Sequence, residues 1–414
     1  MGQRRDGITA LLLAYAQAEP PEEVRAGMRL SVLDWAACGL AGRREGAFGG
    51  WSVPGQGPCT RFDGLAGSPA EAALVNGTLS HALDYDDTHF AHIGHPSVVV
   101  VSAALAVAEA VGAPFADMLD AALVGAEASV AAGLWLGRDH YEVGYHQTAT
   151  AGTFGAAVTA GRLLALDQGT MRHALGLAST MAAGLKSQFG TMGKPLNAGL
   201  AARAGVEAAH WAGQGMTSAE HGVEGPLGFG ATHHGADQTV AFAWRMAAVS
   251  HKFHACCHGL HATLEAVRGL ALADARQIVV RVHPRWLSVC NHPAPQTGLE
   301  AKFSYAHVLA MAAHGRETSD IASFTDACAS DPQMVAFRDR VSVTGDPKLS
   351  EMQAHVTVDG AVYTHDLDTP QPLEERRARL RRKAQTLVGA SRSEALWQAI
   401  DAGDLGRFGQ LLVP

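Results

Sequence analysis

Residues Val98–Val111 read VVVVSAALAVAEAV, an apolar, alanine-rich run that begins shortly after a proline and stops before a glycine. Phe115–Leu134 and Ala151–Leu166 have the same texture, and Gly, Pro or Asp residues bound these runs. Runs of this length exceed ordinary strands, so they predict helices. The same pattern extends from Ile8 to about Arg245, which predicts a large all-helical domain.

The pattern changes after residue 245. Ile278–His283 and Ala354–His365 alternate as strands do, and the second segment has Asp359 and Gly360 at its centre, a strong signal for a two-residue hairpin turn. Between them, Ala301–Ala313 has the pattern of a helix. These segments predict a smaller α+β domain.

The C-terminal stretch Pro372–Leu387, PLEERRARLRRKAQTL, predicts a charged helix with Leu373, Leu380 and Leu387 on one side. We interpret it as a solvated helix with a single apolar seam that returns to the helical domain. The sequence therefore predicts a mainly α fold with two domains, residues 1–245 plus 371–414 and residues 246–370.

Composition limits the classes of protein that the chain can represent. The 414 residues are 47% hydrophobic and 17% charged, with a formal net charge of −8. A net negative charge without a basic stripe argues against nucleic-acid binding. No uncharged apolar run reaches membrane-spanning length, and the N-terminus lacks the features of a signal peptide. Six cysteines without a disulfide-scaffold pattern favour reduced thiols, so we expect a cytoplasmic protein without membrane partners.

One stretch concentrates ionisable side chains between two apolar runs. Asn76–Pro96 reads NGTLSHALDYDDTHFAHIGHP and holds the polar residues Asp84, Asp86, Asp87, Thr88, His89, His92 and His95. Buried carboxylates and imidazoles are costly unless they are paired, so the cluster predicts a functional site. Two hypotheses fit: a metal site built from Asp and His, or a metal-free acid–base site for an anionic substrate.

Four further islands of polar residues follow along the chain. They are the segments Gly144–Thr148, Thr191–Leu196, His251–His261 and Glu300–His307. Their candidate side chains are His146, Lys194, Lys252, Cys257, His258, His261, Tyr305 and His307. Lysine and protonated histidine bind carboxylates, whereas neutral histidine and tyrosine transfer protons. The inventory suits proton abstraction beside a carboxylate of a small polyacid.

Spacing gives the metal hypothesis little support. The segment HKFHACCHGLH could place several ligands on one helical face, yet it lacks the Cys-x-x-Cys pairs and the His-Glu-x-x-His order of zinc sites. The chain also lacks an EF-hand pattern, a phosphate-binding loop and a convincing dinucleotide fingerprint. We predict no metal and no organic cofactor. The alternative is a metal-dependent hydrolase that uses Asp86, Asp87, His89 and the histidines of segment 251–261.

In this order, the islands resemble the MmgE/PrpD family, which includes 2-methylcitrate dehydratases, cis-aconitate decarboxylases and iminodisuccinate epimerases. The resemblance runs from about Leu30 to beyond Pro347. Its most specific parts are NGTLSHALDYDDTH…HP, GYHQTATAGTFGAA, FGTMGKPLNAGLAARAGVEAA and a K-x-x-x-C-C-x-x-x-H segment. It implies a large helical domain joined to a smaller α+β lid, a homodimer, a site in the cleft between the domains, and chemistry without metal or organic cofactor.

The resemblance also implies functional residues. The family's active-site aspartate, threonine, histidines and lysines fall on Asp84, Thr88, His95, His146, Lys194 and Lys252. Two positions depart from the decarboxylase branch. Cys257 stands where that branch has a lid histidine, with His258 and His261 nearby, and His307 aligns with its tyrosine, two residues after Tyr305.

We therefore expect a cofactor-independent lyase, either a dehydratase or a decarboxylase, that acts on a small di- or tricarboxylate. His146 would be the base or acid, and Asp84 would orient or charge a neighbouring histidine. Lys194, Lys252 and His95 would hold carboxylates and the negative charge that develops on the substrate.

Tyr305 and His307 are candidates for a second proton carrier. The alternatives to a lyase are an epimerase or racemase of the same family, the metal-dependent hydrolase, and a helical binding or scaffold protein. The weakly charged, Ala- and Gly-rich helical half also predicts a dimer.

Overall fold

The computed structural model describes residues 7–46, 48 and 51–413. Residues 1–6, on which part of the signal-peptide prediction rests, lie outside the described residues. The chain divides into two compact units, which are Met1–His251 with Leu380–Pro414 (unit 1) and Lys252–Arg379 (unit 2). We predicted the divisions near residues 245 and 370. Most regular structure is helical, which confirms the predicted mainly α class.

Unit 1 consists largely of helices. They are α1 (Ile8–Gln17), α2 (Glu22–Arg44), α3 (Pro69–Ser80), α4 (Pro96–Val111), α5 (Phe115–Glu142), α6 (Gln147–Leu163), α7 (Gln168–Met181), α8 (Gly193–Gly213) and α9 (Phe229–Thr232). The unit also has a two-stranded ribbon of β1 (Cys59–Thr60) and β2 (Ala66–Gly67). The long apolar runs form α4, α5 and α6 as predicted. Helix α4 opens with Pro96 in its first turn and closes with Gly112 in the left-handed conformation, at φ 68°.

Small residues let the helices of unit 1 approach closely. A methyl group at Gly199 of α8 would lie 2.3 Å from the carbonyl oxygen of Leu74 in α3, and one at Gly205 would lie 2.5 Å from the main-chain nitrogen of Ala157 in α6. Distances this short are forbidden, so these helices pack backbone against backbone at the two glycines. The contact brings the start of α8 close to the end of α3.

Helix α5 is long and unusually apolar. Among the described residues it is the one helix with the length and apolarity of a membrane span, and 89% of the qualifying window is buried inside the protein. A helix that is apolar all round is also typical of a protein core, and the burial of α5 agrees with that interpretation.

Unit 2 contains the strands β3 (Ile278–Val282), β4 (Val341–Gly345), β5 (Gln353–Val358) and β6 (Ala361–Asp366). They form one sheet in the order β4-β3-β5-β6, in which only β3 and β4 are parallel. The predicted hairpin joins β5 and β6. Its turn residues Asp359 and Gly360 have φ values of 47° and 92°, as a two-residue hairpin turn requires.

The helices of unit 2 are short. They are α10 (His261–Ala266), α11 (Arg285–Val289), α12 (Gly298–Ala301), α13 (Tyr305–Ala313), α14 (Asp326–Ser330) and α15 (Pro332–Arg338). The helix predicted over Ala301–Ala313 is confirmed from Tyr305 to Ala313 as α13, but its predicted start is wrong, because the chain leaves the helical path after Ala301. The Ser304 hydroxyl caps α13 by accepting the N–H of His307.

The segment His251–His261 also differs from the prediction. It is irregular up to Cys257, forms one 3₁₀ turn at His258–Leu260, and enters α10 at His261. Its histidines and cysteines therefore share no helical face.

The C-terminal helices are α16 (Leu373–Val388), α17 (Ala390–Ala402) and α18 (Leu405–Leu412). Helix α16 confirms the helix predicted over Pro372–Leu387, and the division between the units falls within it. Its apolar seam buries Leu380, Ala384 and Leu387. Lys383 lies in the same seam and is 2% exposed, which the charge pattern did not predict.

Candidate active site

Three helices of unit 1 begin at candidate functional residues. His95 is the N-cap of α4, His146 is the N-cap of α6, and Lys194 lies in the first turn of α8. The main-chain N–H of His95 donates to Oγ1 of Thr148 at 3.1 Å, which ties the starts of α4 and α6 together. Because helix N-termini carry partial positive charge, this region of unit 1 favours anions.

An acidic loop, residues 84–87, follows α3. A capping box between Ser68 and Glu71 fixes the start of α3, which ends at Ser80. Asp84 then takes a φ of 50°, in the left-handed region that Asp tolerates better than most residues. The loop presents three carboxylates from four consecutive residues, and each has different partners.

Asp84 contacts Lys194 and His95, which lie at the starts of α8 and α4. Its Oδ1 lies 2.7 Å from Nζ of Lys194 and 3.4 Å from Nε2 of His95. The Asp84 side chain is 41% exposed, whereas that of Lys194 is 15% exposed. The structure thus shows one carboxylate oxygen held between a lysine and a histidine at a place that solvent reaches.

Asp86 is buried between two histidines. Its carboxylate accepts Nδ1–H of His81 at 2.9 Å, and its Oδ2 lies 2.8 Å from Nδ1 of His95. Burial alone would raise the pKa of Asp86, but the two imidazoles outweigh it and hold the pKa well below its usual range. An ionised Asp86 keeps the proton of His95 on Nδ1, so Nε2 is the atom of His95 that gains or loses a proton.

In His146 the proton is on the other ring nitrogen than in His95. The side-chain amide of Asn197 donates to the carbonyl of Leu185 and lies 3.3 Å from Nδ1 of His146, so Nδ1 is the acceptor and Nε2 carries the proton. Burial lowers the pKa of His146 well below its usual value, and the positive charge of Lys194 adds to this effect. His146 is therefore a neutral donor.

Thr88 and Asp87 form hydrogen bonds to segments that surround the acidic loop. The main chain of Thr88 pairs with that of Ser250 in an isolated bridge, and its hydroxyl donates to the Ser250 carbonyl at 3.3 Å. Asp87 accepts the hydroxyls of Ser31 and Ser97 at 2.7 and 2.5 Å. Burial raises the pKa of Asp87 to about 7 despite these hydrogen bonds.

The ligand set of the hydrolase alternative does not come together in unit 1. Asp87 binds serines, and Nε2 of His89 donates to the carbonyl of Arg245 at 2.9 Å. Among the described residues, a single group of side chains has its ligand atoms within 4.8 Å of one another, close enough for a metal ion. It consists of His81, Asp84, Asp86 and His95. Hydrogen bonds and ion pairs within this group account for its spacing.

In unit 2, the candidates of segment 251–261 lie close together. Lys252, His258 and His261 are buried, and Cys257 is half-buried. The rings of His258 and His261 lie 4.7 Å apart. Burial lowers the pKa of His261 well below its usual value, and Nε2 of His261 lies 3.4 Å from the carbonyl of Cys256.

Tyr305 and His307 lie in the first turn of α13 and are fully buried. The Tyr305 hydroxyl donates to the carbonyl of Gly259 at 2.8 Å, and burial raises its pKa well above 10. Nε2 of His307 lies 3.8 Å from Sγ of Cys328, and burial lowers the pKa of His307 to about 4. Both side chains therefore belong to the packed interior of unit 2.

Sequence reasoning missed two residues of the unit 1 site, His81 and Asn197. His81 binds Asp86, and its ring lies 4.5 Å from that of His95 and 6.0 Å from that of His146. The position of His81, just before the acidic loop, could have marked it. Asn197 gave no comparable signal, because its role depends on the packing of α8 against the start of α6.

Comparisons with known proteins identify the family of the chain. The MmgE/PrpD N-terminal domain matches residues 7–241, and the MmgE/PrpD C-terminal domain matches residues 254–402. The chain belongs to the MmgE/PrpD family.

Curated relatives of the chain share a name. Cis-aconitate decarboxylase of Homo sapiens is 28% identical over 333 residues, which cover 73% of this chain and 68% of the relative. Cis-aconitate decarboxylase of Aspergillus terreus is 27% identical over 351 residues, covering 74% and 72%. Cis-aconitate decarboxylase of Mus musculus is 25% identical over 378 residues, covering 80% and 75%.

Proposed function

We propose that the protein is a lyase that needs no metal or organic cofactor and acts on a small di- or tricarboxylate. The observation that carries this proposal is the carboxylate oxygen of Asp84, held between Lys194 and His95 where three helices begin. A substrate carboxylate offers the same chemistry to the same groups. The names of the relatives favour decarboxylation over dehydration.

The two histidines supply complementary proton chemistry. His95, backed by the ionised Asp86, gains or loses a proton at Nε2, and neutral His146 donates from its Nε2–H. Loss of carbon dioxide breaks a carbon–carbon bond and adds a proton to a carbon next to a carboxylate. Loss of water removes a proton from such a carbon and protonates the departing hydroxide. Lys194 and the partial charges of the helix starts stabilise the negative charge that develops there.

Nuclear magnetic resonance of the purified protein in deuterated water tests this function. The panel comprises cis-aconitate, other tricarboxylates and dicarboxylates with and without a hydroxyl group. A new vinyl signal with net conversion supports the lyase. Deuterium that enters the substrate without net conversion supports the epimerase alternative, and an unchanged spectrum for every acid contradicts the whole proposal.

We also propose a homodimer in a reducing compartment such as the cytoplasm. Leu185, Met192 and Leu200 are large apolar side chains near the start of α8, and each is about half exposed. The six cysteines all lie among the described residues and form no disulfide. Light scattering at micromolar concentration should give twice the chain mass, and Leu200→Glu should lower it towards the monomer. A wild-type monomer contradicts the dimer.

A further inference from the structure

Lys383 of α16 is a buried lysine outside the catalytic groups named above. Its Nζ lies 2.5 Å from Oδ1 of Asp34 in α2, and their side chains are 1% and 2% exposed. Lysine is almost never fully buried unless it is paired. The ion pair with Asp34 accounts for the burial of Lys383. It does not account for a second contact that the Lys383 ammonium makes.

The further contact is to the backbone of the acidic loop. Nζ of Lys383 donates to the carbonyl oxygen of Tyr85 at 2.5 Å and lies 4.0 Å from the centre of the Tyr85 ring. That carbonyl belongs to the peptide between Tyr85 and Asp86, and it follows the left-handed residue Asp84. The ammonium therefore fixes the orientation of one of the two peptide planes that lie between Asp84 and Asp86.

Other contacts brace the same loop. Ser31 binds Asp87 and lies one helical turn from Asp34 on α2, so α2 supports the loop directly through Ser31 and indirectly through the Asp34–Lys383 ion pair. Asp84 and Asp86 direct their carboxylates to Lys194 and to the histidines. If the peptide between Tyr85 and Asp86 turned, both carboxylates would shift, and shifts of about 1 Å in a site can lower turnover roughly 10²-fold.

We propose that Lys383 is a positioning residue, whose ammonium holds the Tyr85–Asp86 peptide so that Asp84 and Asp86 meet Lys194 and the histidines. The effect on turnover rests on the proposed function, whereas the effect on the loop does not. The C-terminal helix α16 thus takes part in shaping the candidate active site, although no side chain of α16 has been placed among the groups that bind or react with substrate.

The test uses the full-length protein with Lys383→Met and, as a matched control, Arg382→Met, which removes the exposed neighbouring charge. Hydrogen–deuterium exchange is followed in the peptides that cover residues 81–89 and 118–132. Turnover is measured with the polycarboxylate that the wild type accepts. Lys383→Met should speed exchange at least tenfold in residues 81–89 but not in 118–132, and lower kcat by about 10–100-fold. Arg382→Met should match the wild type.

The double variant Asp34→Asn with Lys383→Met separates positioning from charge neutralisation. It removes both buried charges, so it should regain thermal stability while kcat stays low and residues 81–89 still exchange fast. If Lys383→Met fails to fold, the double variant carries the same measurements. Wild-type exchange at residues 81–89 in a folded variant overturns the proposal, as does a double variant that recovers kcat. If the wild type converts no polycarboxylate, the proposed function fails, and the exchange result alone decides the role of Lys383.

Discussion

His95 and His146 are held by different partners, and those partners decide which ring nitrogen carries the proton. Asp86 accepts a hydrogen bond from Nδ1–H of His95, whereas the Asn197 side chain donates to Nδ1 of His146. Two histidines of one site are thereby kept in different tautomers. This division is useful in a reaction that needs one group to accept a proton and another to donate one.

Replacing His146 tests its share of this chemistry. His146→Ala should lower kcat by roughly 10²–10⁴-fold with a smaller change in KM, because the donor acts in the transition state. The control is His210→Ala, an exposed histidine on α8. Steady-state kinetics with the accepted polycarboxylate measure both. Near-normal turnover in His146→Ala, together with its loss in Tyr305→Phe or His307→Ala, would transfer the proton carrier to unit 2.

The buried carboxyl of Asp87 gives the stability a defined pH dependence. Burial raises its pKa from 3.8 to about 7, so the folded protein holds this proton more tightly than the unfolded chain. Stability from this group is present below about pH 4 and is lost as the pH rises towards 7. The amide of Asp87→Asn does not ionise, so the variant does not lose this stability as the pH rises. Between pH 4 and 7, the variant should therefore gain about 2–4 kcal/mol of unfolding free energy relative to the wild type.

Urea unfolding of both proteins at several pH values measures this difference. A difference in unfolding free energy that stays constant across the range would mean that Asp87 does not titrate there.

Single residues of the site differed in how well the sequence revealed them. Asp84, His95 and Lys194, which the structure brings together, stand out because they interrupt long apolar or uncharged runs. Lys383 and Asn197 could not be recognised in this way. Lys383 is one of several basic residues in α16, and its burial depends on contacts with segments about 300 residues earlier in the chain.

At the scale of helices and strands, composition and the spacing of apolar residues predicted the regular elements of the chain. The apolar runs of α4 to α6 and the hairpin of β5 and β6 are as predicted. The break between α12 and α13 was not visible, because no Gly or Pro marks it. Two local caps fix the helix starts on either side of it: the capping box of Thr297 and Glu300 begins α12, and the Ser304 cap begins α13.

Two glycines at which an added methyl group has room can distinguish the effect of backbone conformation on stability from the effect of packing. A methyl group at Gly27 of α2 or at Gly360 of the hairpin meets no atom within 4 Å. Gly27 is helical, so Gly27→Ala should raise the unfolding free energy by about 0.5–1 kcal/mol. Gly360 has a φ of 92°, so Gly360→Ala should lower it by about 1–2 kcal/mol.

Thermal or chemical unfolding of the two variants provides the comparison. Changes of the same sign in both variants would show that backbone conformation is not the cause.

For the whole molecule, the sequence predicts the family. Five islands of polar residues in a fixed order suggested the MmgE/PrpD family, and both of its domains match the chain. The motifs do not identify the substrate. Substrate choice depends on the shape of a pocket, and that shape arises from the packing of many residues along the chain.

The central claim is that proton transfer beside a substrate carboxylate depends on Lys194 and on no metal ion. Proton NMR in deuterated water tests it most directly, with the accepted polycarboxylate and four samples: wild type, chelator-treated wild type, Lys194→Ala and Lys348→Ala. Lys348 is exposed, so the last variant is the control for loss of a lysine. We expect equal conversion by treated and untreated wild type, with deuterium at the carbon next to a carboxylate, and conversion slowed by roughly 10²–10³-fold in Lys194→Ala. Conversion that stops with chelator and returns with a divalent cation, or that persists at the wild-type rate in Lys194→Ala, would contradict the claim.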